Sequence, residues 1–380
     1  MIKVPYDTIN VLLEATEACN LRCKYCYHAD DGYVPANMTG SIFKKVCELV
    51  FSRYKNIQFL WHGGEPLCAG LDFHKMVYEI QKSYRERYPQ TKVTNAIQTN
   101  GTLIDEETAR FLADNNFSVG VSFDGTDNEL TRGKTERVLN GIRLLKNAGI
   151  KSIGGLTVIS GMNIGHLDKD YALMKEMCLS TDYNSLVLTG GACHFPNVQM
   201  EFEEYCRNMI QFFDLWFYDI SCNIVVNPFH SYVRDMLYNT ASICWRTSCL
   251  GRWINVKPDG AVYPCSREYP KEYSFGMIQN VDSIDELFNS DGFIRLLEES
   301  IVRREKCEAA CEWYPHCQGG CSCTALTESG ITNNDGFSCR SFKILFSHCD
   351  MRIKEAMTQG ADYIKNSINP MIAELLIEKL

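Results

Sequence analysis

Short β-rich runs alternate with helical periods through residues 9–218, and this pattern most limits how the chain can fold. Strands that alternate with helices of this length predict a parallel sheet, either open and doubly wound or closed into a full or partial (β/α) barrel. The predicted strands are Ile9–Thr16, Ile57–His62, Val93–Thr99, Val119–Phe123, Ile153–Ile159 and Ser185–Leu188. The predicted helices are Ser41–Tyr54 with Ser41 as N-cap, Phe73–Tyr88, Asp105–Asn115, Glu136–Ala148, Asp168–Leu179 and Glu201–Tyr218.

Cysteine is the unusual residue, with 19 among 380. The amino terminus has no basic region before an apolar run, and no stretch of about 18 apolar residues occurs, which argues against a secretory signal and a membrane span. We therefore expect a cytoplasmic chain, in which a Cys-rich pattern indicates metal binding or catalysis before disulfides. The formal net charge of −9 argues against a broad basic surface for nucleic acid or anionic membrane.

The residue pattern changes in the second part of the chain. Eleven cysteines occur from Cys222 to Cys349 inclusive, and the regular strand–helix alternation stops there. A small core of this kind needs metal to stabilise it. Helical spacing follows, with a break at Pro370. We expect three parts: a first domain at 1–235, a metal-binding domain at 236–349 and a C-terminal helical tail at 350–380.

Three cysteines, Cys19, Cys23 and Cys26, follow the first predicted strand in a CxxxCxxC pattern. Soft thiolates select zinc or an iron–sulfur cluster. Three ligands leave one position open, whereas a structural zinc site is normally closed by four, so the pattern favours a reactive centre. The alternative is a zinc loop that borrows His28 or a remote cysteine.

This pattern, with the aromatic Tyr25 inside it, resembles the signature of the radical S-adenosylmethionine (SAM) enzymes. The resemblance implies that Cys19, Cys23 and Cys26 hold a [4Fe–4S] cluster whose fourth iron is chelated by SAM. One electron from the cluster would cleave the sulfonium and yield methionine and a 5′-deoxyadenosyl radical. It also implies a partial (β/α)6 TIM-like barrel for the first domain, and an electron donor such as flavodoxin or ferredoxin.

The second predicted strand runs into the segment Gly63-Gly64-Glu65-Pro66. Adjacent glycines let the backbone approach a ligand and expose carbonyl groups, and the Glu65 anion suits an ammonium group. In radical SAM enzymes a segment of this kind receives the SAM amino group. The resemblance therefore assigns Gly63, Gly64, Glu65 and Pro66 to cofactor binding, together with Tyr25 in the cysteine loop. An ordinary turn is the alternative.

Polar residues lie where the third and fourth predicted strands end, Gln98 at one end and Ser122 with Asp124 at the other. The carboxyl ends of parallel strands meet at the mouth where a barrel builds its site. The resemblance places Ser122 and Asp124 near the SAM ribose or methionine, and Arg132 at the SAM carboxylate. Gln98 would face the substrate, so Gln98 and Asp124 are the candidate catalytic residues. The turn 160–163 would flank the adenine. Each of these could instead be a turn or cap residue.

Eight cysteines in the second predicted domain closely resemble the pattern of the SPASM domain. This C-terminal module of radical SAM peptide- and protein-modifying enzymes carries two auxiliary [4Fe–4S] clusters, which would bring the total to three. The resemblance assigns to the first auxiliary set Cys244, Cys249, Cys265 and Cys321. It assigns to the second auxiliary set Cys307, Cys311, Cys317 and Cys339.

The pattern departs from the SPASM family at two places. Three residues separate Cys307 from Cys311, where family members usually have two, and Cys323 lies near enough to Cys321 to be a rival ligand. A pair of zinc ribbons is the alternative, because zinc ligand spacings overlap with these. We expect the remaining cysteines to be buried small hydrophobes: Cys47, Cys68, Cys178, Cys193, Cys206, Cys222, Cys323 and Cys349.

Length and cysteine spacing are similar to those of two groups, the anaerobic sulfatase-maturating enzymes and the SPASM maturases of ribosomally made peptides. The former oxidise Cys or Ser to formylglycine, and an Asp directly after the third cysteine of the first auxiliary set acts as their base. Here that residue is Ser266, whose hydroxyl is a poor proton acceptor. We therefore predict a maturase that abstracts hydrogen from a precursor peptide lying across the barrel mouth and crosslinks or otherwise oxidises it. Sulfatase maturation is the alternative, and a non-catalytic iron–sulfur or zinc protein that binds a partner is a second one.

Overall fold

The computed structural model describes residues 4–27, 36–241, 244 and 249–380. These residues form two compact units that interleave along the chain. The first unit draws its described residues from segments 1–122, 134–153 and 248–299. The second unit draws its described residues from segments 123–133, 154–247 and 300–380.

The described residues form ten strands and fifteen α-helices. The strands are β1 (Thr8–Thr16), β2 (Asn56–Gly63), β3 (Lys92–Thr99), β4 (Phe117–Ser122), β5 (Ile153–Ile159), β6 (Thr181–Ser185), β7 (Val226–Asn227), β8 (Trp253–Val256), β9 (Ala261–Tyr263) and β10 (Gly276–Met277). The helices are α1 (Gly40–Phe51), α2 (Leu71–Arg87), α3 (Glu106–Asp114), α4 (Asn128–Thr131), α5 (Thr135–Asn147), α6 (Leu167–Glu176), α7 (Phe202–Phe217), α8 (Phe229–Tyr238), α9 (Ile284–Leu287), α10 (Asp291–Ala310), α11 (Tyr314–Cys317), α12 (Ser322–Glu328), α13 (Phe337–Gln359), α14 (Ala361–Ser367) and α15 (Pro370–Ile377). Among them no helix is both long enough and apolar enough to cross a bilayer.

The first unit is built on a sheet with strand order β10-β9-β8-β1-β2-β3-β4. The pairs from β8 to β4 are parallel, and β9 pairs antiparallel with β8 and with β10. Alternate residues of β1, from Ile9 to Ala15, are fully buried on one face of the sheet. On the neighbouring β2, Phe59 and Trp61 pack against Phe43 of α1, with ring centroids 5.5 Å and 5.3 Å away. The predicted α/β class with parallel strands is confirmed.

Five of the six predicted strands lie within two residues of their observed ends, but the prediction for the sixth is wrong. The apolar run Ser185–Leu188 was expected, whereas β6 covers Thr181–Ser185. Thr181 and Tyr183 are buried there, and Asp182 and Asn184 are exposed. Pairing with β5 and β7 satisfies its backbone. Alternation with polar residues therefore defines this strand better than an apolar run does.

The helix starts show how local side chains fix the boundaries. Ser41 was expected to cap α1, but Thr39 does so, because its hydroxyl accepts a hydrogen bond from the Ile42 amide at 3.4 Å. Asp105 caps α3, where its carboxylate accepts from the Thr108 amide at 2.8 Å. The left-handed Gly149, with φ of 79°, follows α5 and ends it.

In the second unit, parallel β5, β6 and β7 pair in chain order. Helix α13 packs on α7 through Asp214, which accepts from His348 Nε2 at 2.7 Å and from Arg352 Nη2 at 2.7 Å. Helix α15 begins at Pro370, where the sequence predicts a break. Helix α13 runs without interruption past residue 349, so the division of the chain at 349/350 stays a prediction.

Replacing Asp214 by Ala should lower stability by about 1–2 kcal/mol, because Arg352 and His348 lose a shared, partly buried acceptor. The matched change is Glu355→Ala, which removes an exposed partner of the same Arg352. That variant should stay within about 0.5 kcal/mol of the wild type. Thermal unfolding of the two variants measures the difference. Equal loss in both would contradict a special role for the α7–α13 contact.

Candidate active site

The loop after β1 carries the predicted cluster ligands Cys19, Cys23 and Cys26, and all three are half-buried. The Cys26 amide donates to the Cys23 carbonyl at 3.1 Å, which turns the chain between them. The Leu21 amide lies 3.5 Å from Cys19 Sγ, and Asn100 Nδ2 lies 3.9 Å from the same atom. Burial raises the pKa of the Cys19 thiol. Donors directed at a sulfur stabilise a thiolate and tune a bound cluster, so this loop fits an iron–sulfur ligand set.

A ring of side chains fixes this loop to the end of β3. Asn100 Nδ2 donates to Asn20 Oδ1, Asn20 Nδ2 donates to Thr102 Oγ1, and Thr102 Oγ1 donates to Asn100 Oδ1, each at 2.8 Å. Sequence reasoning missed Asn20 and Thr102. Their only signal was an amide inside the cysteine motif and a hydroxyl shortly after β3.

The two glycines of the Gly63–Pro66 segment are required by the cysteine loop. Gly64 N donates to the Thr16 carbonyl at 3.0 Å, and a Cβ atom on Gly64 would lie 2.3 Å from the Ala18 carbonyl oxygen. Gly63 has φ of 112°, which favours glycine. These contacts give both glycines a structural reason. Their assignment to SAM stays a prediction.

Glu65 anchors the same segment to β3 rather than facing solvent. Its side chain is 1% exposed. Oε1 accepts from the Leu67 amide at 3.0 Å and from Thr99 Oγ1 at 2.8 Å, and Oε2 accepts from the Asn100 amide at 2.6 Å. Burial raises the pKa of Glu65 to about 7 against the effect of these three donors. The carboxylate therefore holds two strand ends together, and a role of the segment in binding an ammonium group stays a prediction.

Two further predicted residues meet on one face of the first unit's sheet. Gln98 Nε2 donates to Ser122 Oγ at 2.9 Å. Gly120 makes room for this contact, because a Cβ atom there would lie 2.0 Å from Gln98 Oε1. Gln98 is thus oriented by Ser122, and its assignment to the substrate stays a prediction.

In the second unit, Asp124 and Arg132 form a buried ion pair. Arg132 Nε lies 3.0 Å from Asp124 Oδ2, and the Asp124 side chain is fully buried. Thr131 Oγ1 donates to Oδ2 at 2.7 Å, and the Val158 amide donates to Oδ1 at 3.0 Å. Asp124 therefore positions Arg132, while the roles of both toward SAM stay predictions.

The turn predicted to flank the adenine is closed by its own side chain. Ser160 N donates to Asn163 Oδ1 at 2.8 Å, and Asn163 Nδ2 donates to the Val158 carbonyl at 2.9 Å. Ser160 and Asn163 are both buried. This arrangement matches the turn alternative for these residues.

The four cysteines of the second auxiliary set line one pocket of about 150 Å³ in the second unit: Cys307, Cys311, Cys317 and Cys339. Lys306 and Lys343 lie at the same pocket. Asn334 Nδ2 donates to Cys307 Sγ at 3.1 Å. Burial raises the pKa of Cys339, and Lys343 opposes this rise. Four sulfur atoms, two cations and an N–H donor fit a thiolate-bound anionic cluster.

Across the described residues, no three His, Cys, Asp or Glu side chains lie close enough together to bind a single ion. The pocket of the second auxiliary set has room for a larger group. In the first auxiliary set, Cys249 and Cys265 belong to the first unit, and Cys244 and Cys321 to the second. His28, the alternative zinc ligand, lies outside the described residues.

The other eight cysteines divide into two groups. Five are buried, as expected for small hydrophobes: Cys47, Cys206, Cys222, Cys323 and Cys349. Cys68 is half-buried, and the expectation is wrong for Cys178 and Cys193, which are exposed. Cys178 adopts a left-handed turn with φ of 47° just after α6, which directs it away from the core.

Comparison with known proteins agrees with the two resemblances seen in the sequence. Residues 13–174 match the radical SAM superfamily, and residues 244–321 match SPASM, an iron–sulfur cluster-binding domain. The second match favours iron–sulfur clusters over the zinc ribbons that the spacing left open.

Three relatives match nearly the whole chain. The cysteine-type anaerobic sulfatase-maturating enzyme of Clostridium novyi is 30% identical, over 87% of this chain and 92% of that protein. The serine-type enzyme of Bacteroides thetaiotaomicron is 26% identical over 90% of each. The solved structure of native anSMEcpe with bound AdoMet and Kp18Cys peptide is 26% identical, covers 92% of this chain and 99% of that chain, and has a TM-score of 0.80.

These relatives overturn the prediction of a maturase of ribosomally made peptides, which is wrong. That prediction depended on Ser266 alone, whereas the similarity to sulfatase-maturating enzymes extends over most of the chain. A difference at one position has less weight than a similarity that extends over 362 aligned residues. The chain therefore belongs to the family of the anaerobic sulfatase-maturating enzymes, within the radical SAM superfamily.

Proposed function

We propose that this protein oxidises a cysteine side chain of a sulfatase to formylglycine. The observation that carries the proposal is the 30% identity to a cysteine-type enzyme over 92% of that enzyme's length, against 26% to a serine-type one. The substrate would be a protein or peptide segment, as the Kp18Cys peptide bound to the solved relative suggests.

Three [4Fe–4S] clusters and SAM are the proposed cofactors, with flavodoxin or ferredoxin as electron donor. When bound, SAM and the first cluster supply a carbon radical that takes one hydrogen atom from the substrate, and the auxiliary clusters accept one electron. Cys19, Cys23 and Cys26 would hold the first cluster, in a loop that the Asn20–Asn100–Thr102 ring keeps in place. The pocket lined by Cys307 and its partners supports an auxiliary cluster in the second unit.

The overall chemistry sets what the chain's own groups must do. Oxidation of a –CH₂–SH group to –CH=S removes a hydrogen atom from carbon, a proton from sulfur and one electron. Water then replaces sulfur, which yields the aldehyde and hydrogen sulfide. The protein must therefore orient the cysteine, accept the thiol proton and exclude other reductants.

The proposal predicts that the anaerobically reconstituted protein, given SAM, dithionite and a sulfatase peptide with Cys, converts that residue to formylglycine. Mass spectrometry should show the loss expected when –CH₂SH becomes –CHO, together with 5′-deoxyadenosine. The same peptide with Ala in place of Cys is the control. Release of 5′-deoxyadenosine with an unaltered Cys peptide would overturn the proposal.

Two cysteine variants should separate SAM cleavage from product formation. Cys23→Ala should abolish SAM cleavage, because the first cluster loses one of its three ligands. Cys317→Ala should leave some 5′-deoxyadenosine formation but no formylglycine, because it affects the second auxiliary set alone. Chromatography of both products tests this division, and equal loss of both products in the two variants would contradict it.

Glu65→Ala should lower stability by about 3 kcal/mol, because the Leu67 and Asn100 amides and the Thr99 hydroxyl lose their buried acceptor. SAM binding should weaken with it, since the Gly63–Pro66 segment is released from β3. Thermal unfolding and equilibrium binding of SAM measure the two effects. The control is Glu107→Ala, whose side chain is 68% exposed and which should change neither. Unchanged stability in Glu65→Ala would refute the anchoring role.

A further inference from the structure

Glu14 is a buried carboxylate that the packing of the sheet does not explain. It lies on β1, on the face opposite to Leu13 and Ala15, and is 1% exposed. Its Oε1 accepts from Asn255 Nδ2 at 2.7 Å. In the part of the chain that the structure describes, Oε2 is buried without a hydrogen-bond partner. Such an oxygen costs about 1–3 kcal/mol, so its presence needs a reason beyond stability.

The neighbouring strands place two more unsatisfied polar atoms beside Glu14. His62 is its register partner on β2, so both side chains lie on the same face. Asn255 is the register partner of Leu12, and thus shares this face as well. Among the described atoms, His62 Nδ1 and Asn255 Oδ1 also have no hydrogen-bond partner. Three adjacent strands, β8, β1 and β2, thus present unused hydrogen-bonding capacity on one face.

This row of polar side chains continues across the sheet to Gln98 and Ser122, two of the predicted site residues. The paired register of β2 and β3 ends with Trp61 opposite Ile97, so Gln98 follows beside His62. Gln98 in turn donates to Ser122 on β4. A row of polar groups near the carboxyl ends of five parallel strands is the arrangement expected for a bound polar ligand.

Glu14 also lies near both cysteine-bearing segments of the first unit. Tyr27, which follows Cys26, hydrogen-bonds with the side chain of Ser266, which follows Cys265. The same phenol lies within electrostatic range of the Glu14 carboxylate. One phenol therefore faces Ser266 and the Glu14 carboxylate together.

Oxidation of a cysteine needs an acceptor for the sulfur-bound proton, and the Ser266 hydroxyl is a poor one. We propose that Glu14 Oε2 accepts the proton of the substrate thiol, an inference that rests on the proposed function. In this step the S–H bond breaks, an O–H bond forms on Oε2, and the sulfur keeps the electron pair as a thiolate. No electron leaves the substrate in it. Asn255 orients the carboxylate through Oε1.

The surroundings of Glu14 suit a proton acceptor at neutral pH. Burial raises the pKa of Glu14, while the Asn255 hydrogen bond and the Lys257 charge oppose the rise. Burial lowers the pKa of His62 to about 4, so this imidazole is neutral and does not hold Glu14 in an ion pair. The titratable or charged groups that face Glu14 are His62, Tyr27, Glu17, Lys257 and Asp259.

The test compares wild type with Glu14→Gln, an isosteric change that keeps an acceptor for Asn255. The variant should form 5′-deoxyadenosine at a rate within about twofold of wild type, but formylglycine from the Cys peptide should fall about a hundredfold at pH 7. Product should recover as pH rises through the thiol pKa of about 8.5, because the substrate then ionises without a base. Product formation by the wild type should not show this steep rise with pH.

A second readout needs no turnover. Peptide binding to wild type should produce an infrared band of a protonated carboxyl group, and the peptide with Ala in place of Cys should not produce it. Glu14→Gln should lose the band. Asp259→Asn, a change at a nearby exposed acid, should leave both the band and the ratio of products unchanged.

The outcomes separate this inference from the proposed function. If wild type makes formylglycine and Glu14→Gln does so equally well at pH 7, Glu14 is not the acceptor and the proposed function stands. If wild type binds the peptide without oxidising it, the infrared band alone decides for or against Glu14. A wild type that neither binds nor oxidises the peptide overturns both.

Discussion

The approach of Gly64 to the backbone before Cys19 is the constraint on which the first unit's site depends. A Cβ atom there would lie 2.3 Å from the Ala18 carbonyl oxygen and 2.6 Å from that of Glu17. Any side chain would therefore push the cysteine loop away from the end of β2. The Glu65 amide donates to the same Ala18 carbonyl at 2.7 Å, and its carboxylate holds the end of β3. Backbone contact and one buried acid thus fix three strand ends in a single arrangement.

The buried acids differ in how far the fold satisfies them, and this difference separates support from chemistry. Glu65 receives three internal donors, and Asp124 pairs with Arg132 while it accepts from Thr131 and from a backbone amide. Such groups stiffen the structure because their hydrogen-bonding capacity is used by partners within the protein. Glu14 accepts from Asn255 at one oxygen, and its other oxygen has no hydrogen-bond partner among the residues that the structure describes. Unused capacity in a buried polar group is a mark of binding or proton transfer rather than of structural support.

The sequence predicted the parts of this molecule that depend on local pattern. Hydrophobic periodicity gave five strands, and cysteine spacing gave the four side chains that share the pocket of the second auxiliary set. Local pattern did not predict β6, whose polar residues alternate with buried ones between two neighbouring strands. It also did not mark Glu14, whose hydrogen-bond partner Asn255 lies 241 positions along the chain. The predicted substrate class is wrong for another reason: it depends on the Ser266 hydroxyl being the only possible proton acceptor. A sheet can supply a carboxylate from a strand that no linear motif marks.

The source of the proton acceptor has a consequence for which side chain the enzyme can oxidise. A thiol has a pKa of about 8.5, and burial raises the pKa of the Glu14 carboxyl, which makes this carboxylate a better acceptor for the thiol proton than an exposed one. A serine hydroxyl is a far weaker acid, and the same carboxylate would be a poor base for it. The strength of Glu14 as a base therefore favours cysteine over serine, in the same direction as the higher identity to the cysteine-type relative.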